Sequence, residues 1–285
     1  MKCYLCPNDC GVERSERLGL CLCGQDMVIN RIAPHYYEEP PISGTNGSGT
    51  VFFGGCVMRC EFCQNALISR KPTGKSYTPK ELAEEIKRLE GEGVHNINFV
   101  TPTQWSDGIR RALDIYRPSI PIVYNTSGYE KLEVIKELLP YVDVFLPDYK
   151  YGNQNLGLRL SKRKDYPQIA LDAIELMVKE KPSIYEGELI KQGVIIRHLV
   201  LPGYVDNSKI ALDNLVNRLG ANFTLSLMSQ FTPMPNCSDP NRRLKPIEYK
   251  MVINHALKLG LTDIFTQEIS SAEETYIPHF DISIE

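Results

Sequence analysis

The sequence predicts an α/β fold built on a parallel sheet, and three observations carry that prediction. Short apolar runs alternate with stretches whose apolar residues recur at helical spacing. The alternation repeats six times from about residue 50, which calls for parallel strands joined by right-handed crossovers. A chain of 285 residues, 42% of them hydrophobic, is also long enough to bury such a core as one barrel or sheet, or as two smaller domains. Periodicity alone leaves a barrel and an open doubly wound sheet unresolved. In both, ligands bind where the strands end.

The first strand is expected in TVFFGG (50–55). The helix after it starts at Thr78-Pro79-Lys80-Glu81, where Thr caps, Pro takes the first helical position and Glu follows three after the cap. Leu82, Ile86 and Leu89 continue it at helical spacing. The second and third units are NINFV (96–100) with a helix inside 107–116, and PIVYN (121–125) with KLEVIKELL (131–139). VDVFLPD (142–148) leads through a longer loop to QIALDAIELMVKE (168–180), and GVIIRHLVLPG (193–203) leads to KIALDNLVNRL (209–219). FTLSLMSQF (223–231) precedes IEYKMVINHALKL (247–259), and LTDIFTQ (261–267) reads as a short last strand. Residues 1–49 depart from this rhythm. They form a Cys-, Pro- and Gly-rich extension whose end, 38–50, reads as a linker or wrapping segment.

A net charge of −3 gives no basic surplus, so nucleic acid is not an expected partner; SKRK (161–164) reads as a solvated loop. No apolar run reaches 18 residues, so no membrane association is expected, and MKCYLCPNDC lacks a signal peptide's apolar core. The expected location is the cytoplasm. There, nine cysteines point to metal ligands or catalytic thiols rather than disulfides, and eight of the nine precede residue 64.

Those eight form two groups. Cys56, Cys60 and Cys63 directly follow the first strand. Thiolates bind soft metals, a structural zinc wants a fourth ligand, and a cubane cluster on three thiolates keeps one iron open for substrate. Cys3, Cys6, Cys10 and Cys21 provide four ligands that would close a shell, zinc or a second iron–sulfur cluster, with Cys23 as the spare.

The Cx3CxφC pattern, with Phe62 as its aromatic, resembles the radical SAM superfamily. EEPPISGTNGSGTVFFGGCVMRCEFCQN (38–65) is similar to its pyruvate formate-lyase-activating-enzyme-like branch. The resemblance implies a partial (β/α)6 TIM-type barrel over 50–285 behind a Cys-rich metal-binding extension over 1–49. It implies an oxidoreductase with a [4Fe-4S] cluster on Cys56, Cys60 and Cys63 that reductively cleaves S-adenosylmethionine to a 5′-deoxyadenosyl radical, which abstracts a substrate hydrogen. Ferredoxin or flavodoxin is the implied electron donor. That hydrogen abstraction is the leading function, with a glycyl radical enzyme as the substrate the branch resemblance suggests; modification of a peptide or small metabolite is the alternative, and a non-catalytic zinc scaffold a remote one.

Further site residues follow from the strand ends. VTPTQ (100–104) stands where the family has a Gly-Gly-Glu-like segment, so backbone at Thr101 and Pro102 or the Thr103 hydroxyl must serve the cofactor. Asn125 and Ser127 suit ribose hydroxyls or the methionyl carboxylate. Asp148 and Lys150, on one side of an extended segment, match the family's Asp-x-Lys and are the expected catalytic pair. Arg197, within an apolar strand, needs a carboxylate, either the cofactor's or that of Asp148. His198 faces the opposite way as a structural residue, and Gln230 reaches for adenine or substrate.

Overall fold

The computed structural model describes residues 2–235, 237–268 and 280. Within them, ten strands form one sheet with no closing pair between its outer strands. The parallel part contains β2 (Ser48–Phe53), β4 (Ile97–Val100), β5 (Ile122–Thr126), β6 (Val144–Pro147), β8 (Leu189–Leu199), β9 (Thr224–Met228) and β10 (Ile264–Thr266). The partial barrel is therefore present, and the short last strand is its seventh parallel member.

Three strands lie outside that periodicity. β1 (Met27–His35) runs antiparallel along β2, β3 (Lys75–Tyr77) pairs with β1, and β7 (Ile184–Glu186) forms a hairpin with β8. Pro34 and the polar Asn30-Arg31 pair hide β1 from a pattern search, since proline ordinarily argues against a strand. The segment before residue 50 thus contributes a strand, and the four-residue helix α1 (Pro40–Ser43), rather than a linker alone.

The helices follow local signals. α3 (Pro79–Gly91) starts with the expected capping box: Thr78 Oγ1 accepts from Glu81 N, and Glu81 accepts from Thr78 N. Leu82, Ile86 and Leu89 are its buried stripe. α2 (Ala66–Ser69) closes the cysteine loop, and α4 (Ser106–Ile115), α5 (Leu132–Leu138), α7 (Tyr166–Glu180), α8 (Val205–Leu219) and α9 (Pro246–Lys258) fall where the apolar spacing puts them. α6 (Gln154–Ser161) fills the expected long loop; Asn153 caps it by accepting from Asn155 N and Leu156 N.

Strand alternation sorts the interior into rungs. Val123, Val144 and Ile195 join Ile42 of α1 in one fully buried apolar cluster. Two residues further along the same strands come Asn125 and Arg197, with Asp148 just past the end of β6. An apolar floor therefore carries a polar layer, and that layer faces the strand ends. His198 points the other way and is fully buried: its ring bonds Tyr149 O at 2.6 Å and Ser208 Oγ at 2.9 Å. Burial pushes its pKa down to about 4, which keeps it a neutral packing residue.

Candidate active site

β2 ends in Gly54-Gly55, and Gly55 has φ +76, a turn that favours glycine and sends the chain into the cysteine loop. Cys56 and Cys60 are buried and Cys63 is half-buried. Each sulfur has its own donor: Met58 N on Cys56 at 3.4 Å, Ser161 Oγ on Cys60 at 3.0 Å, and Ser69 Oγ on Cys63 at 3.4 Å. The loop backbone is clamped as well. Arg70 donates to the carbonyls of Cys60 and Glu61, while Arg163 and Asn8 both donate to that of Val57. SKRK is therefore solvated only at Lys162 and Lys164. Its first residue ends α6 and donates to Cys60, and Arg163 reaches the Val57 carbonyl of the cysteine loop.

The chemistry of this donor set fits an iron–sulfur cluster. Burial, and then the charge of Cys60 and Cys63, pushes the Cys56 thiol up to about 12. Three bare thiolates would repel one another here, and a bound polycation would stabilise them while releasing their protons. Donors aimed at sulfur are the outer contacts that tune such a cluster. Among the described residues, no three His, Cys, Asp or Glu side chains converge as a single metal ion requires. A cluster with each thiolate on its own iron asks for no such convergence.

The loop forms one wall of a pocket at the strand ends. Phe62, Thr101, Asn125, Ser127, Asp148, Lys150, Arg197 and Gln230 all line it, together with Glu38. Phe62 packs on Phe231 at a centroid distance of 6.2 Å. Lys150 Nζ pairs with Asp148 Oδ2, whose other oxygen accepts from Arg197 Nε at 2.9 Å. Burial alone would raise the Asp148 pKa, but Arg197 and Lys150 hold it below the usual carboxylate range. Burial would likewise lower Lys150, and Asp148 and Cys60 keep it charged. Arg197 thus has the internal partner Asp148, and among the described residues its other hydrogen bonds go to Asn125 and Glu38. Among the described residues, the buried Ser127 hydroxyl has no hydrogen-bond partner.

Thr101 and Thr103 behave differently. Thr101 stands at φ +59, a strained value for a β-branched residue, and its carbonyl already accepts from Gln104 Nε2 at 2.8 Å. Thr103 turns away from the pocket and donates to Glu130 Oε1 at 2.6 Å. The same oxygen accepts from Thr126, so this buried carboxylate ties the second strand end to the third. Glu38, Ser161, Ser69 and Glu130 were all missed from sequence: Glu38 and Ser161 meet Arg197 and Cys60 across the fold, while Ser69 and Glu130 lie close to Cys63 and Thr126 in short segments that carry no periodic signal.

Burial pushes Glu130 up to about 7. Between its unfolded value near 4.5 and 7, the folded protein keeps a proton that the unfolded chain has lost. Stability therefore falls as pH rises through that window, by about 3 kcal/mol in total. Denaturant unfolding of the apoprotein at pH 5, 6, 7 and 8 should show a shallower decline for Glu130→Gln than for wild type. Equal slopes would remove Glu130 as the cause.

The N-terminal cysteines lie against the back of this loop. Cys6 feels the charges of Cys21 and Cys3, and burial pushes it up to about 12. The sulfurs of Cys21 and Cys10 both border Gly19, 3.3 and 3.6 Å from where a Cβ would stand. The expected spare, Cys23, is buried and hydrogen-bonds to Cys21, which lowers the Cys21 thiol to about 6. Cys21 O accepts from Cys56 N at 3.3 Å, which joins the two cysteine groups through the backbone.

The molecule is thus an unclosed parallel barrel with three thiols in the loop after its first parallel strand. The family model for the radical SAM superfamily matches residues 50–215, and the chain belongs to that superfamily, whose enzymes bind S-adenosylmethionine. An uncharacterized protein of Methanocaldococcus jannaschii, MJ0674, is 31% identical over 92% of this chain and 76% of its own. Pyruvate formate-lyase 1-activating enzyme of Escherichia coli is 25% identical over 68% of this chain and 74% of its own, in keeping with the branch expected from sequence. The fold is shared with Streptococcus suis SuiB bound to S-adenosylmethionine, with TM-score 0.54, 10% identity and 77% of this chain covered; this chain spans about half of SuiB. No helix among the described residues is long and apolar enough to cross a membrane.

Proposed function

We propose that Cys56, Cys60 and Cys63 hold a [4Fe-4S] cluster, and that S-adenosylmethionine occupies the pocket between this loop and the Asp148–Lys150–Arg197 group. The observation that carries the reading is their juxtaposition: three sulfurs, each with a donor, face a charged polar layer across one pocket. When bound, the cluster supplies one electron to S-adenosylmethionine, which divides into methionine and a 5′-deoxyadenosyl radical; that radical takes a substrate hydrogen atom to give 5′-deoxyadenosine and a substrate radical. Arg197 and Lys150 are suited to the methionyl carboxylate, and Asn125 and Ser127 to ribose hydroxyls. Phe62 walls the pocket, the backbone at Thr101 borders it, Gln230 faces adenine or substrate, and Thr103 acts through Glu130. Asp148 keeps the two cations oriented.

The preferred substrate is a glycyl radical enzyme, supported by the similarity to the E. coli activating enzyme. The electron comes from a ferredoxin or flavodoxin. Cys3, Cys6, Cys10 and Cys21 hold a second group, zinc or a cluster. Anaerobically reconstituted protein should release 5′-deoxyadenosine from S-adenosylmethionine and dithionite, and install an organic radical on a co-encoded glycyl radical enzyme. Nucleoside without that radical would move the substrate to a peptide or small metabolite. No nucleoside at all would sink the reading. About eight irons per chain would assign a second cubane, and about four irons with zinc a structural site.

A further inference from the structure

We propose that Glu38, carried by the N-terminal segment, is a positioning residue of the cofactor pocket. Its Oε1 accepts from Asn98 Nδ2 at 3.1 Å and from Asn125 Nδ2 at 3.2 Å, and its Oε2 faces Arg197 NH1 at 3.4 Å. The Asn125 amide is thereby held at both ends, its NH2 by Glu38 and its carbonyl oxygen by Arg197 NH2. Without Glu38 that amide keeps only its bond from Arg197 NH2 and loses the one that fixes its NH2. Arg197 would then be drawn to Asp148 and the nearby Glu39.

Local structure delivers Glu38 to this point. Its backbone N–H donates to Ser43 Oγ at 3.0 Å, and Ser43 N donates to Glu39 O, which coils residues 38–43 tightly. Ile42 of the same turn is fully buried in the apolar floor. The segment is a plug, and Glu38 is the part of it that lines the pocket.

Packing alone does not account for a carboxylate here. Its side chain is only 10% exposed, and a buried ion pair is often no more stabilising than apolar residues of the same size. The floor immediately below is filled with apolar residues. Glu38 is anchored by two amides from neighbouring strands but reaches Arg197 only at 3.4 Å, which leaves the guanidinium room to meet an anion. Binding of S-adenosylmethionine is then linked to the docking of the N-terminal segment.

The inference rests on the cofactor occupying this pocket, and the experiment separates the two claims. Reconstituted, reduced wild type, Glu38→Gln and Asn98→Ser are titrated with S-adenosylmethionine, and the change in the cluster's EPR spectrum is followed. Iron content and melting temperature are measured on each. Glu38→Gln, which keeps an acceptor for the two amides but loses the charge that faces Arg197, should weaken binding about tenfold, on the scale of losing an outer contact to a ligand-holding group, with iron and melting temperature as in wild type. Asn98 is not part of the pocket lining, so Asn98→Ser should give a smaller loss in the same direction. Wild-type affinity in Glu38→Gln, or a loss that only tracks lost iron and lowered melting temperature, would overturn the role of Glu38. No response in wild type would overturn the pocket assignment itself.

Discussion

Cys60→Ala should lower 5′-deoxyadenosine formation to the level of a control without enzyme. Its sulfur is the most tightly held of the three, buried and taking a hydrogen bond from Ser161 Oγ at 3.0 Å. Two thiolates cannot keep a cubane cluster whose open iron already lacks a protein ligand. Iron per chain should fall with the activity, and the low-temperature EPR signal after reduction should vanish. The change itself is small, since alanine leaves only a sulfur-sized space, so circular dichroism should match wild type. Ser161→Ala is the graded companion. It keeps all three ligands and removes one hydrogen bond to sulfur, so the cluster should assemble but with a more negative midpoint potential, because such bonds stabilise the more negatively charged reduced state. Nucleoside formation by Cys60→Ala at the wild-type rate would exclude the three-cysteine loop as the seat of the chemistry.

The features legible in the sequence are those encoded along one strand and its following loop. The six βα units, the Thr78 capping box, the Cys56–Cys60–Cys63 loop and the packing role of His198 depend on periodicity or spacing within a few residues. Asp148 and Lys150 were readable because alternation in an extended segment puts both on one side. The partners that complete the site are not local. Ser161 meets Cys60 across 101 residues, Glu38 meets Arg197 across 159, and Arg163 reaches the Val57 carbonyl across 106. Nothing in SKRK or EEPP distinguishes a solvated loop from one folded onto a site, because composition reports polarity and not which polar groups meet. β1 was hidden for a different reason. It is paired on both sides yet carries a proline and a polar pair, which blur the alternation that identifies a half-buried strand.

The second large effect is expected at a residue that contributes no chemistry. At Gly55 an added Cβ would stand 2.2 Å from Cys23 Sγ and 2.7 Å from Cys21 O, and φ is +76. One obstacle is backbone, so rotating a side chain does not relieve it. Gly55→Ala must either shift residues 21–23 away or move the start of the cysteine loop. The first response breaks the bond from Cys56 N to Cys21 O and that from the Cys23 thiol to Gly54 O. The second displaces Cys56 relative to Cys60 and Cys63. Left-handed strain and overpacking together cost about 2–5 kcal/mol, and both responses disturb thiol ligands. Gly55→Ala should therefore lose cluster iron and melt well below wild type while retaining every cysteine. Gly91→Ala is the matched control: its Cβ meets nothing within 4 Å at the end of α3, so it should be neutral or slightly stabilising. If the N-terminal cysteines bind their own metal, Gly55→Ala should also lower its occupancy, because the same displacement moves Cys21. Normal iron and melting temperature in Gly55→Ala would show that the extension does not bear on the catalytic loop.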